Sequence, residues 1–255
     1  MNKKGVFLGL LFFYFLSQPA WPQFYKVYGY KTPEKNETEV VLWNTYIAQS
    51  NLSSSFFGEA VNRKGLWAHS FEIEYGVTDR LTVALYVDFE DPPGKSLKYY
   101  RTRAVFFRYR FAEKGKYFFD PAVYVEYYIP RRSYMDDEEL EIRFILEKDI
   151  GNFRIDLNPM FEKKMSGSEI DEGLEFNYAV GLTFIKFQTV QPGIEFHGKM
   201  GELSGLNPAG EQRHVVFPTL DFRFGHGLHW HMGAGFGLTD STDGFIIKSI
   251  FSYEF

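Results

Sequence analysis

Residues 245–255 read FIIKSIFSYEF. Phe251, Tyr253 and Phe255 fall on one side of a period-2 zigzag and Ser252 and Glu254 on the other, the alternation of a half-buried β-strand. The sequence runs to its last residue inside this strand, with no turn after it. That ending predicts a sheet whose final strand pairs with its first, and such a sheet needs the same alternation along the whole chain.

The alternation recurs. Phe71, Ile73, Tyr75 and Val77 alternate with Glu72, Glu74 and Gly76, and after the turn Thr78–Arg80, Leu81 to Phe89 alternate with Thr82, Ala84, Tyr86 and Asp88. Val105, Phe107, Tyr109 and Phe111 oppose Arg108 and Arg110, and Val123, Val125 and Tyr127 oppose Tyr124 and Glu126. Further on, the polar face carries Glu141, Arg143 and Glu147, then Arg154, Asp156 and Glu162, then Glu175, Glu195, Asp221 and Arg223, and finally Lys248. With the less regular stretch Glu39–Gln49 the count is about twelve strands, or ten if one or two segments are misread; single-chain membrane barrels have even counts. Pro121, Pro159, Pro192 and Pro218 lie on the apolar face, and each removes a ladder donor, which predicts bulges or local breaks there.

Loop lengths alternate too. Short connections fall at 78–80, 112–116, 149–152, 185–188 and 225–228, and long ones at 50–65, 91–97, 130–139, 164–173, 198–213 and 239–244. Short turns on one rim and long loops on the other are the outer-membrane arrangement, with the short turns periplasmic. Aromatic rings on the apolar face sort by height. Tyr75, Tyr109, Phe111, Phe224, Trp230, Tyr253 and Phe255 lie near the short-turn ends, and Trp67 and Phe89 near the long-loop ends. Two girdles around an aliphatic band suit the two bilayer interfaces. The expected fold is therefore all-β, a transmembrane antiparallel up-and-down barrel.

Composition agrees. Aromatic residues make up 19% of the 255-residue chain, yet mean hydropathy is −0.27 and charged residues make up 24%. That combination suits strands with one lipid face and one polar face, and excludes a helical membrane protein. Cys is 0, which removes disulfides and thiolate chemistry, and a net charge of −5 gives no nucleic-acid partner. Lys3 and Lys4, the apolar run Val6–Leu16 and the following Ser-Gln-Pro-Ala form an export signal over 1–22. Residues 23–38 are then expected as a periplasmic N-terminal segment and 39–255 as the barrel, placed in the outer membrane of a Gram-negative cell.

The inward set that would line a solute path is Glu72, Glu74, Tyr86, Asp88, Arg108, Arg110, Tyr124, Glu126, Arg143, Glu147, Arg154, Asp156, Glu175, Glu195, Asp221, Arg223 and Lys248. Its mixed charge fits either a polar path or a network of ion pairs that fills the lumen, since about twelve strands fall between the filled barrel of ~8 and the open channel of 16–18. Neighbouring strands put Glu147 near Arg154, Arg110 near Asp120 and Asp221 near Arg223. His229 and His231 share a face near Asp221, but no further ligand is evident, so no metal and no cofactor is expected. A rim hydrolase would draw on Asp88, Glu90 and Asp91 with His214, and His69-Ser70 puts base and hydroxyl on opposite faces of a strand.

The ending, with a terminal Phe and aromatics two residues apart, resembles the terminal signature of outer-membrane barrels. It implies lipid and the barrel-assembly machinery as partners of the last strand. The phrases EYGVTDRLTVAL (74–85) and GFGLTDSTDGFIIKSIFSYEF (235–255) resemble the MetA-pathway phenol-degradation family, whose members are presumed transporters. That resemblance implies a porin-like passive channel for small solutes, aromatic or hydrophobic ones among them. The other readings are a plugged barrel that presents its loops and a rim-located hydrolase.

Overall fold

The computed structural model describes residues 24–255, so the export signal lies outside the described residues. Twelve antiparallel strands close into one barrel. They are β1 (Thr38–Gln49), β4 (Trp67–Thr78), β5 (Leu81–Asp91), β6 (Lys98–Arg110), β7 (Asp120–Pro130), β8 (Glu139–Ile150), β9 (Phe153–Lys164), β10 (Glu175–Phe184), β11 (Val190–Glu202), β12 (Arg213–Gly225), β13 (Leu228–Gly237) and β14 (Phe245–Glu254). Two short strands, β2 (Ser53–Phe56) and β3 (Glu59–Asn62), pair with each other inside the first long loop. The barrel strands have 10–13 residues, enough to cross a bilayer when tilted.

Each barrel strand pairs with its sequence neighbour in the barrel, and β14 closes on β1 from Glu39–Glu254 to Gln49–Phe245. Closure is finished by reciprocal bonds, Thr38 N to Phe255 O and Phe255 N to Thr38 O, each 2.9 Å. The expected pairing of last strand with first is thus formed, and the barrel sheet has no open edge.

The outer wall is apolar. Leu42, Ile73, Leu85 and Phe144 stand exposed there, a surface that only lipid would cover at low cost. The rings sit at two heights. Trp67 and Phe89 are at the long-loop ends of β4 and β5, while Tyr75, Tyr109, Phe224 and Tyr253 are at the short-turn ends, with Phe111 and Phe255 just beyond their strands. Trp230 stacks on Phe251 with centroids 5.1 Å apart and planes 6° apart.

Of the four prolines, two coincide with breaks. With the register unchanged, pairing lapses between Arg143–Met160 and Leu146–Leu157 of β8–β9 around Pro159, and between Val216–Phe236 and Thr219–Gly233 of β12–β13 around Pro218. Pro121 and Pro192 stand near the starts of β7 and β11, and the ladders keep register there. The bulges lie elsewhere. One, between Val105 and Phe107, corrects the reading of β6. Phe106 and Phe107 are both outside, so Val105 points inward and is buried, together with Arg103. A single extra residue exchanges the faces of everything before it.

The larger correction concerns residues 24–37. Expected as a periplasmic lead-in, they run instead inside the barrel, from the long-loop side at Phe24 to the short-turn rim at Glu37. At the rim, Asn36 N donates to Gly76 O at 2.8 Å and Gly76 N to Glu37 O at 3.0 Å. A side chain at Gly76 would overlap the Glu34 carbonyl, so glycine is what lets the segment pass. Tyr25, Tyr28 and Tyr30 are buried in the lumen, whereas in a lead-in strap they would stay wet. Over the long-loop rim, Phe56, Val61 and Leu66 of the first loop are buried, and Leu66 packs with Ile47, Ala68 and Phe24.

Candidate functional site in the barrel lumen

Strand alternation places one polar side chain in the lumen every second residue, and the inner segment finds its partners among them. Its backbone is held at several heights. Tyr30 N donates to Glu147 Oε2 at 2.7 Å, and Arg108 Nη2 donates to the carbonyls of Gly29 at 2.5 Å and Lys31 at 2.9 Å. Asn158 bonds both backbone polar atoms of Tyr28, and Lys248 Nζ donates to Tyr25 O at 3.2 Å. The Tyr30 hydroxyl donates to the Ala112 carbonyl.

The side chains of the segment fill the middle of the barrel. Tyr28 lies 5.1 Å from the Tyr124 ring, its hydroxyl 3.2 Å from that of Tyr86, with the Arg143 guanidinium 4.4 Å from its centroid. Arg103 lies 3.9 Å over Tyr86. Tyr25 packs on Phe217 at 5.0 Å, and Phe24 meets Trp43 edge-on at 6.2 Å. These cation–π and ring contacts are desolvated, which strengthens them.

Three ion-pair clusters back this layer. Asp88 lies 2.6 Å from Arg101 and 2.8 Å from Arg103, and Arg103 reaches on to Glu126 at 3.0 Å. Glu147 is 3.2 Å from Arg154 and 2.5 Å from Lys114. Glu195 meets Lys248, His197 at 2.9 Å and His231 at 3.0 Å. Elsewhere Lys199 pairs with Glu175, Arg143 with Glu141 at 2.9 Å, Arg223 with Asp221 at 3.0 Å, and Arg108 with Glu74 at 3.5 Å. Glu72 accepts from Trp43 Nε1 at 2.8 Å. Arg110 and Asp120, neighbours by sequence, do not pair. Arg110 lies over Tyr30, and Asp120 accepts from Gly115 N.

Two cavities stand out among the described residues. The outer one, about 60 Å³ toward the long-loop side, is walled by the start of the segment and by β1 and β6–β11. The inner one, about 520 Å³, opens at the short-turn side and includes Arg108, Arg110, Glu147, Arg154, Asp156, Glu195, Asp221 and Arg223 in its wall. They share one lining residue, Lys26. Of the inward set, Arg143 faces the outer cavity, whereas Glu72, Glu74, Tyr86, Asp88, Tyr124, Glu126, Glu175 and Lys248 line neither and lie in the packed network.

Above the lumen, Arg63 binds Asp243 at 2.9 and 2.7 Å, tying the first long loop to the last. Burial opposes the charge of Arg63, yet the hydrogen bonds and charge of Asp243 hold its pKa above the ordinary value. The residues weighed for a rim hydrolase are not brought together. Asp88 is taken by two arginines, and His214 bonds Tyr178 and Gln212, each at 3.0 Å. His69 bonds Asn44 at 2.8 Å, while Ser70 faces the opposite side.

Sequence reasoning passed over Arg101 and Arg103, hidden by the β6 bulge, and over residues 24–30. The doublet Phe106-Phe107 signals the first. For the second, the signal is the density of rings in FYKVYGY (24–30).

A closed antiparallel barrel with an apolar, ring-girdled wall, a polar lumen and one rim of short turns defines an outer-membrane β-barrel. No family model and no curated relative matches the sequence, so the resemblance to the phenol-degradation family has no family-level match behind it. Among solved structures, an outer membrane channel from Pseudomonas putida superposes with a TM-score of 0.59 at 14% identity, over 89% of this chain and 98% of that one. The KdgM porin in complex with disordered oligogalacturonate gives 0.58 at 9% identity, over 85% and 99%. At these identities the likeness shows the fold alone.

Proposed function

We propose that this protein is a passive outer-membrane channel for small solutes, closed at rest by its own N-terminal segment. The observation that carries the proposal is the division of the lumen. Two polar cavities open toward opposite rims, share Lys26 alone, and are parted by a segment that is no strand of the wall. Displacing that segment joins the cavities without breaking a single ladder bond. The channel neighbours are compatible with this reading, and the phenol-family phrases are what bring aromatic or hydrophobic solutes into it.

The buried Arg63–Asp243 pair and the hairpin over the long-loop rim favour a second reading, a permanently closed barrel that presents its loops. Conductance of the refolded protein in planar bilayers, with solute uptake into liposomes, separates the two. Discrete conductance with uptake supports the channel. Silence at every voltage, with no uptake, overturns it. We further propose that β14 is the segment read by the barrel-assembly machinery and that lipid covers the outer wall.

A further inference from the structure

The two cavities differ in chemistry. The inner wall balances seven basic side chains of lysine and arginine against seven carboxylates and holds one aromatic ring besides its histidines, Tyr30. The outer wall holds five basic side chains, Lys26, Arg101, Arg103, Arg143 and Lys199, against two carboxylates, Glu141 and Glu162. It also carries six aromatic residues, Phe24, Tyr25, Tyr28, Trp43, Tyr128 and Tyr178. Its free volume of about 60 Å³ is small, several water molecules' worth, so a ligand held there is compact.

Four of the five cations are already paired with carboxylates of the wall. Lys26 is not. Its ammonium lies 4.8 Å over the Trp43 ring and 4.9 Å over the Tyr28 ring, and Glu72, Glu39 and Glu74 act on its charge from beyond contact distance, with no carboxylate of the described residues within 4.0 Å of it. A second group points the same way. Asn177, 4% exposed, lines this cavity, and both its Oδ1 and its Nδ2 lack a hydrogen-bond partner. An amide buried with both ends unpaired costs free energy that a ligand would recover.

We propose that the outer cavity is a binding site for small aromatic carboxylates. The carboxylate completes the charge of Lys26 and accepts from Asn177 Nδ2, and the ligand ring packs among the aromatic side chains. A neutral ring would leave the ammonium without a carboxylate in contact, and an aliphatic acid would leave the rings uncovered. The inference deepens the channel reading and rests on it for its meaning, as the place where a solute is held before the segment moves.

The test is calorimetric titration of the full-length protein in detergent micelles with benzoate, phenol and cyclohexanecarboxylate. Benzoate is expected to bind at least tenfold more tightly than either of the others. Lys26→Met and Asn177→Ala should each weaken benzoate by about tenfold, while Arg223→Ala, in the inner cavity, should not. Heat-modifiable migration of each variant shows whether the barrel has folded, and the ligand series on the unaltered protein stands even where a variant fails. Absence of benzoate binding, equal binding of phenol, equal binding of cyclohexanecarboxylate, or indifference to Lys26→Met in a folded barrel would overturn the site. Conductance without benzoate binding sinks this inference alone, and binding without conductance sinks the channel.

Discussion

The side-chain amide of Asn158 holds both backbone polar atoms of Tyr28: Oδ1 accepts from Tyr28 N at 2.7 Å and Nδ2 donates to Tyr28 O at 3.0 Å. A wall residue thus gives the inner segment what a neighbouring strand would give it, but through one side chain. Losing both bonds in Asn158→Ala should favour the displaced segment by about 1–3 kcal/mol. Single-channel recordings should show the open-to-closed ratio rising by about fivefold to a hundredfold, with the conductance of the open state unchanged.

Gly76 controls the entrance. Gly76→Val puts a branched side chain where the Glu34 carbonyl passes, and the segment, not the wall, must give way. The variant should conduct more often than the parent while migrating as a folded barrel. An unaltered open probability would mean that the segment is not held at this rim.

The Arg63–Asp243 pair is buried, with side-chain exposures of 4% and 1%. Removing one charge strands the other, at a cost of about 3–5 kcal/mol, whereas replacing both with apolar residues can be near neutral. Limited proteolysis should therefore cut the loop over 50–66 much faster in Asp243→Asn. The double change Arg63→Met, Asp243→Leu should restore protection.

Phe255 exchanges both its backbone bonds with Thr38 and stacks on Tyr253 with centroids 5.7 Å apart. Its deletion opens the seam between first and last strands at the short-turn rim. The yield of heat-modifiable barrel on refolding should fall, with no change in conductance for the fraction that folds.

Much of the fold is written in the sequence because a barrel wall has two unlike solvents. Every strand must alternate, and loop lengths sort by rim. The inner face is legible only where the ladder is regular. One extra residue at Phe106 turned Arg101 and Arg103 inward against the pattern read from Phe107 onward. Residues 24–37 carry no period at all, since their course is fixed by side chains such as Asn158, Arg108 and Glu147 on three different strands. The ion pairs that form, Glu147–Arg154 and Asp221–Arg223, were inferable from adjacency. Arg110–Asp120 fails because Tyr30 draws the guanidinium instead.

The central claim is that the segment over 24–37 closes the lumen and must move. Val27 and Gly181 face each other so closely that a Cβ built at Gly181 lies 3.5 Å from the Val27 Cβ, a separation suited to a disulfide, and Cys is 0 in the chain. Planar-bilayer recording of the double variant Val27→Cys, Gly181→Cys tests the claim directly. Silence under oxidising conditions, with channels appearing on addition of reductant to the same membrane, is the predicted result. Equal conductance before and after reduction, with the disulfide shown to be formed, would contradict it.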